Sequence, residues 1–351
     1  MSEQPVKIGI VGAGNNTRVR HIPGLQAIEG VEIVSVCNRS RESSQQVADK
    51  FDIPKVYDDW RELVSADDTN AIVIGTWPYM HREMTCAVLE AGKHVMCEAR
   101  MAMNAAEAHA MYKASQAQPH LVAQIVPSPF TFRVDRTIQE LLADGYVGDL
   151  YAVKIRGTAP GFADDGPLHW RHQKELSGLN TLNMGIWYEG SLRWAGPAAR
   201  VFARTHTFVA QRRHMETGTM MPADVPDHVD IVADLVNGAQ ATYEFSAVSG
   251  LGPGPGAWLF GSGVTLHFDQ PSGKLFGGKR GDKALQEIAI APEKEGRWRV
   301  EEEFIGAIRG QEVIRYTDFA TGVQYMEFTE AVARSAVSGQ LVSLPLAEYS
   351  R

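Results

Sequence analysis

Two short segments near the N-terminus carry residue types and spacings suited to holding an anionic ligand. Gly12-Ala13-Gly14-Asn15-Asn16-Thr17 follows an apolar run and precedes a helical pattern. Gly12 permits a tight turn. Gly14 lets the backbone approach a pyrophosphate at the N-terminus of the next helix, where unpaired amides and the helix dipole favour negative charge. Asn15, Asn16 and Thr17 complete the turn. Thr17 stands where such turns usually have a third glycine, which predicts slightly looser packing of helix on strand. The second segment, Cys37-Asn38-Arg39-Ser40-Arg41, ends the next apolar run. A carboxylate there would bind a ribose 2′-hydroxyl and repel a 2′-phosphate. Two guanidiniums and a hydroxyl stand there instead, which favours a 2′-phosphate. The two segments together predict a dinucleotide site, with Asn38, Arg39 and Ser40 as contacts. NADP(H) is favoured, and NAD(H) stays open because Arg39 can also simply stack on adenine.

The elements that must position these segments follow from the pattern of apolar runs. Val6 to Val11, Val31 to Cys37, Ala71 to Gly75, His94 to Cys97 and Leu121 to Val126 are β-type runs, with a brief extended piece at Pro54 to Tyr57. Helical stretches at Ser43 to Phe51, His81 to Ala91 and Asn104 to Gln116 alternate with them. Gly92 suits a helix C-cap and Asn104 an N-cap. Such alternation predicts parallel βαβ units in a doubly wound (Rossmann) α/β sheet. From about residue 145 the texture changes: Leu150 to Arg156, Val201 to Val209, Val229 to Val236, Ala239 to Ala247 and Val264 to Phe268 are strand-like. Asn237-Gly238 predicts a hairpin turn, and Gly252-Pro253-Gly254-Pro255-Gly256 a loop. Helices are expected at Asn180 to Trp194 and Gly322 to Ser338. These signals predict a dinucleotide-binding domain over 1–125. An α+β domain with a large, mostly antiparallel open sheet follows over 126–351, and the C-terminal segment is able to pack back on the first domain.

Composition narrows the function classes. The 351 residues include 34 Lys and Arg against 42 Asp and Glu, a net charge of −8 with no long block of either sign. An acidic balance argues against a nucleic-acid partner, which needs clustered cations. The short basic patches Gln211-Arg212-Arg213-His214 and Lys279-Arg280 read as solvated loops. No apolar run is long enough to span a membrane, and Met1 to Pro5 has no signal-peptide character, so a cytoplasmic location is expected. The three cysteines, Cys37, Cys86 and Cys97, show no metal spacing and read as free thiols; no metal site is expected.

Several segments together resemble the glucose–fructose oxidoreductase / inositol dehydrogenase / rhizopine-catabolism (Gfo/Idh/MocA) family of sugar and cyclitol dehydrogenases. Gly12 to His21 with Ile22-Pro23 is similar to the family's GxGxxGxxxH opening. Thr76-Trp77-Pro78-Tyr79-Met80-His81 lies where the family has Thr-Pro-x-x-x-His, and Ala91 to Glu98 resembles the approach to its Glu-Lys-Pro motif. Trp170-Arg171, Ser177-Gly178 with the helix to Trp194, and Phe304 to Pro345 fit the rest, so the resemblance covers essentially the whole chain. It implies that Thr76, Trp77, His81 and Glu98 lie at the cofactor. It also implies a small sugar-like substrate and a homodimer or homotetramer, in keeping with an open sheet face that needs covering.

The departures bear on mechanism. The family's lysine after the glutamate, near the nicotinamide and the reacting hydroxyl, is Ala99 here. Its Asp-x-x-x-His, in which Asp binds substrate and His takes the hydroxyl proton, is Asn183 and Trp187. Asparagine can still hydrogen-bond a hydroxyl, whereas tryptophan accepts no proton. A relocated relay is then sought among Tyr188, His169, His172 and Lys174, with Arg100 stabilising an alkoxide. Tyr188 follows Trp187 and so points about 100° away around the helix. Trp170, Arg171, Asn183 and Trp187 are expected substrate contacts, Trp187 either stacking on a sugar ring or packing in the core. Three functions remain open. The first is an NAD(P)-dependent oxidoreductase of sugars, cyclitols or related polyols and carbonyls. The second is a redox-neutral glycoside-cleaving or lyase enzyme using the same cofactor, and the third is a non-catalytic dinucleotide-binding protein.

Overall fold

Short runs of β-branched and aliphatic residues, buried on both faces, make the first sheet parallel and covered by helices. In the computed structural model, which describes residues 5–158, 162–163 and 166–349, these runs are β1 (Val6–Val11), β2 (Val31–Cys37), β3 (Lys55–Val56), β4 (Ala71–Ile74), β5 (His94–Cys97) and β6 (Ala123–Ile125). Between them lie α1 (Ile22–Gln26), α2 (Arg41–Phe51), α3 (Trp60–Ser65), α4 (Pro78–Glu90) and α5 (Ala105–Ala117). A π-helical turn, Thr17–His21, runs directly into α1. The strand order is β3-β2-β1-β4-β5-β6, all parallel. The order reverses at β1/β4, the topological switch point where such sheets bind ligands. Asn104 caps α5 by accepting the Glu107 amide.

The remaining elements are α6 (Phe132–Ala143), β7 (Leu150–Arg156), α7 (Lys174–Ser177), α8 (Met184–Ala195), β8 (Ala198–His206), β9 (Gln211–Arg213), β10 (Met220–Pro222), β11 (His228–Leu235), β12 (Gln240–Ser246), β13 (Gly256–Gly261), β14 (Val264–Asp269), β15 (Lys274–Lys279), β16 (Gln286–Ile288), α9 (Val300–Ile308), α10 (Phe319–Ser338) and β17 (Val342–Ser343). Nine strands form the second sheet in the order β16-β15-β14-β13-β7-β12-β11-β8-β17. β7 and β12 pair in parallel and the other neighbours antiparallel. Gly238 takes φ +90° in the β11–β12 turn, as the Asn-Gly signal requires.

The chain divides into two compact units. The first runs to Pro127 and is completed by Arg299–Val323; the second is Ser128–Trp298 with Gln324 onward. Within the second, α6 and α8 are joined by a buried cation between two carboxylates. Arg193 lies 2.7 Å from Asp135 and 2.6 Å from Glu189, and Trp194 Nε1 donates to Asp135 at 2.7 Å.

Several expectations are corrected. Helices α3, α6 and α9 and strands β13 and β15 were not anticipated. β8 starts at Ala198 and stops at His206, because Asp227 takes the Phe208 and Val209 amides instead. The segment Gln211–Arg213 is a strand, not a loop, with Arg212 buried and donating to the Gly166 carbonyl. Gly256 opens β13, where a Cβ would run into the Phe268 carbonyl.

Candidate functional site

The turn after β1 is built at backbone contact. Gly12 has φ +80°, and a Cβ added there would lie 2.6 Å from Thr76 Cγ2 and 2.8 Å from the Thr76 nitrogen. A Cβ on Gly14 would lie 3.2 Å from the Gly75 carbonyl oxygen. Thr17 is buried, and a Cβ on Gly75 would overlap both its hydroxyl and the Gly12 carbonyl. The glycine missing at position 17 is thus supplied at 75, across the contact, and the packing is not loosened. Thr17 packs against Gly75.

Asn38 braces the same turn. Its Oδ1 accepts the Ala13 amide at 2.7 Å, and its Nδ2 donates to the Ser43 carbonyl at 3.0 Å. Ser40 is used as the cap of α2, accepting the Ser43 amide, and Arg41 pairs with Asp58 at 2.7 Å. Arg39 is exposed and lines two cavities. One, of about 540 Å³, is walled by the glycine turn, Arg18, Ser43, Gln46 and Lys50 on one side and by Thr76, Trp77 and Tyr79 on the other. The second, of about 360 Å³, reaches Asp58, Trp60, Arg61 and Met84. Volumes of this size suit an extended small-molecule cofactor. Arg18, Ser43, Gln46 and Lys50 were missed, although Ser43, Gln46 and Lys50 recur at helical spacing on one face of α2. Asn15 is exposed on the turn.

His81 lies fully buried beneath the loops, with Nδ1 2.9 Å from the Arg100 carbonyl and Nε2 3.0 Å from the Thr76 carbonyl. Burial lowers its pKa against these hydrogen bonds. It ties the two loops together. Arg100 is itself enclosed, at 4% exposure.

Glu98, at the end of β5, is turned toward Asn16, whose Nδ2 donates to it at 2.5 Å, and toward His21 Nε2 at 3.0 Å. His21 Nδ1 is 2.5 Å from Glu301 of α9. Burial would lower the His21 pKa, but the hydrogen bonds to Glu301 and Glu98 push it up to about 9. Burial would likewise raise that of Glu98, yet His21 and Asn16 hold it below the usual carboxylate range. The carboxylate is therefore an anion at neutral pH.

In the second unit, Asn183 is the N-cap residue of α8, but its side chain caps no amide. Among the described residues its Oδ1 is buried without a hydrogen-bond partner, and so is the Nε1 of Trp187 one turn later. Both stand at Gly157, where a Cβ would lie 2.6 Å from Asn183 Oδ1 and 2.7 Å from Trp187 Cδ1. Leu182, just before, has φ +46°, a strained setting of the kind that collects at functional positions. The Trp187 ring packs on Phe130 and Phe268. Tyr188 is a core residue. It stacks on Phe328 with centroids 3.6 Å apart, its hydroxyl accepts the Ala198 amide at 2.9 Å, and burial drives its pKa far up. A proton carrier at Tyr188 is thereby set aside. His169 Nδ1 caps the turn Trp170–His172 by accepting the Arg171 amide, and His172 Nδ1 accepts the His169 amide. Arg171 lies over the Trp170 ring at 4.3 Å, and the amide of Lys174 donates to Asp224. Burial and Arg171 lower the His169 pKa. Among the described residues no cluster of metal-ligating side chains and no membrane-spanning helix is present.

A glycine turn and paired cavities at the carboxyl ends of a parallel sheet, followed by a second unit on a mostly antiparallel sheet, define a two-domain dinucleotide-binding protein. Residues 6–124 match the profile of the oxidoreductase family with an NAD-binding Rossmann fold, and residues 136–267 that of the GFO/IDH/MocA C-terminal domain. The chain belongs to the Gfo/Idh/MocA oxidoreductase family. It is 26% identical over 266 residues to an uncharacterised oxidoreductase of Synechocystis, covering 74% of this chain and 70% of that one. With levoglucosan dehydrogenase of Pseudarthrobacter phenanthrenivorans it shares 25% over 229 residues, 60% of this chain and 57% of the relative. The 4-carboxy-2-hydroxymuconate-6-semialdehyde dehydrogenase of Sphingobium is 38% identical over 111 residues, 32% of this chain and 35% of its own length. A levoglucosan dehydrogenase solved with NADH and L-sorbose superposes with a TM-score of 0.84 at 22% identity, over 97% of this chain and 99% of its own. An oxidoreductase domain protein of Kribbella flavida gives 0.84 at 24%, over 98 and 100%.

Proposed function

We propose that this chain is an NADP(H)-preferring oxidoreductase of sugars, cyclitols or related polyols and carbonyls. The observation that carries the cofactor preference is the cavity at the end of β2. Arg39, Arg18 and Lys50 line it and no carboxylate does, while Asp58 and Asp59 line the adjoining cavity, so a 2′-phosphate in the first cavity would be drawn to cations. The backbone turn at Gly12 and Gly14 would take the pyrophosphate, with Thr76, Trp77 and Tyr79 as the facing wall. When bound, a nicotinamide supplies the hydride acceptor or donor. On the substrate side, the buried Asn183 Oδ1 and Trp187 Nε1, both near Gly157, are an acceptor and a donor of the kind a neutral hydroxyl satisfies. Trp170, Arg171 and His169 form the turn proposed to close on the ring. The relatives named for sugar substrates support this class. The aromatic row Phe260, Trp258, His267 and Phe276 on the outer face of β13–β15 supports a homodimer or homotetramer.

The test is to sediment the purified chain and identify any dinucleotide released on denaturation. Candidate polyols are then assayed with NADP⁺ and NAD⁺, following nicotinamide absorbance. Net absorbance change is expected; product without it would favour the redox-neutral reading. Arg39→Ala should weaken NADP(H) binding by roughly 10- to 100-fold, the loss of a hydrogen-bonded charge, and leave NAD(H) binding nearly unchanged. Equal effects on the two dinucleotides would reverse the preference, and a monomer in sedimentation would remove the assembly.

A further inference from the structure

Outside the cavities, the first unit contains a buried chain of three titratable side chains. Glu98 Oε1 is 3.0 Å from His21 Nε2, and His21 Nδ1 is 2.5 Å from Glu301 Oε1. Side-chain exposure is 14% for Glu98, none for His21 and 2% for Glu301. Glu98 is therefore the end of the chain that opens outward. It sits at the carboxyl end of β5, the ligand side of a doubly wound sheet, and Asn16 ties it to the turn that would receive the pyrophosphate. Among the described residues its Oε1 is occupied by Asn16 and His21, and Oε2 accepts the Ala99 amide at 3.1 Å. Glu301 reaches His21 because Gly24 leaves room: a Cβ there would lie 3.0–3.1 Å from the carboxylate arm. Both ring nitrogens of His21 face carboxylate oxygens, an arrangement that only the doubly protonated ring satisfies in full. Glu98 and Glu301 are the titratable groups facing it.

We propose that Glu98 is the acceptor of the substrate's hydroxyl proton, with His21 and Glu301 as the residues that position and charge-balance it, in place of the lysine and histidine that Ala99 and Trp187 replace. This rests on the oxidoreductase reading above. In the oxidation direction the substrate C–H bond breaks with its electron pair, as hydride, to the oxidised nicotinamide. The O–H bond breaks to leave a carbonyl, and its proton goes to Glu98 Oε2. Neutralising Glu98 leaves His21 paired with Glu301 at 2.5 Å, one cation against one anion, so no unbalanced buried charge results. Reduction of a carbonyl runs the same transfers backward.

Glu98→Gln keeps the shape and removes the acceptor. With saturating dinucleotide, kcat for polyol oxidation should fall by roughly 10²- to 10⁴-fold, the usual loss of a general base. The dinucleotide Kd, read from tryptophan fluorescence, should stay within about twofold of wild type, because the loss is in the chemical step alone. His21→Gln and Glu301→Gln should reshape the pH–rate profile, and ¹⁵N resonances should show both His21 ring nitrogens protonated at neutral pH, a state lost in Glu301→Gln. Wild-type turnover in Glu98→Gln overturns the proposal. So does a loss of dinucleotide binding and melting temperature in step with rate, which would make the cluster a structural tie. A wild-type protein that turns over no polyol or carbonyl overturns the underlying functional reading. The two failures are distinct, since the relay fails on its own only when wild type is active.

Discussion

Thr17 and Gly75 show how a single position is read wrongly when its partner lies far along the chain. The departure from a third glycine is visible in the sequence, but its compensation is 58 positions later, on a loop brought alongside by the parallel pairing of β1 with β4. Gly75→Ala should therefore be costly: the new methyl meets the Gly12 carbonyl and the Thr17 hydroxyl, overpacking worth about 1–3 kcal/mol. Adding Thr17→Gly should restore part of the loss, measured by thermal melting and dinucleotide titration. Independent, additive effects of the two changes would show that the contact is not shared. Asn38 and Ser40 teach a related lesson. Residue type alone suggested ligand contacts, yet each spends its polar atoms on the backbone that shapes the site. Arg39, by contrast, is exposed and lines both cavities.

Among elements, the alternation that builds the first sheet was legible, since most of its strands are short apolar runs separated by helical stretches. Helix α3 was missed despite Asp59 accepting the Arg61 amide and Glu62 in its first turn, and α6 despite apolar Val134, Ile138, Leu141 and Leu142 at helical spacing. β13 and β15 were missed because Gly256, Gly261, Gly277 and Gly278 dilute their pattern; those glycines sit where a Cβ would meet a neighbouring strand, loop or side chain. In α8 the spacing of Asn183, Trp187 and Tyr188 was read from sequence, but which face each takes depends on α10 and the sheet. Tyr188 points into that packing. Tyr188→Phe removes the acceptor of the Ala198 amide and leaves a buried donor unpaired, about 1–3 kcal/mol. Denaturant unfolding should register that loss while kcat stays at the wild-type value; a fall in kcat larger than the loss of folded protein would return Tyr188 to the chemistry.

At the scale of the whole molecule, the return of Arg299–Val323 to the first unit gives bounds to a C-terminal segment that the sequence left only able to pack back on the first domain. It rests on pairs such as His21 with Glu301 and Gln124 with Glu303, each closing a separation of more than 170 positions. The same tie gives stability a pH dependence. Folding raises the His21 pKa from its ordinary 6.5 to about 9, so the folded chain holds a proton that the unfolded chain releases between those values. The contribution, of the order of 3 kcal/mol, is fully present below pH 6.5. It declines as pH rises through the window and is gone above about 9. His81 acts the other way: its pKa is lowered by burial, so its stabilising effect is lost as pH falls below its ordinary value, outside that window. Urea midpoints of the wild-type protein should therefore fall between neutral pH and about pH 9. The decline should be much shallower in Glu301→Gln, which removes the stronger of the two hydrogen bonds holding the proton. Parallel curves for the two proteins would mean that His21 carries no extra proton in the folded state.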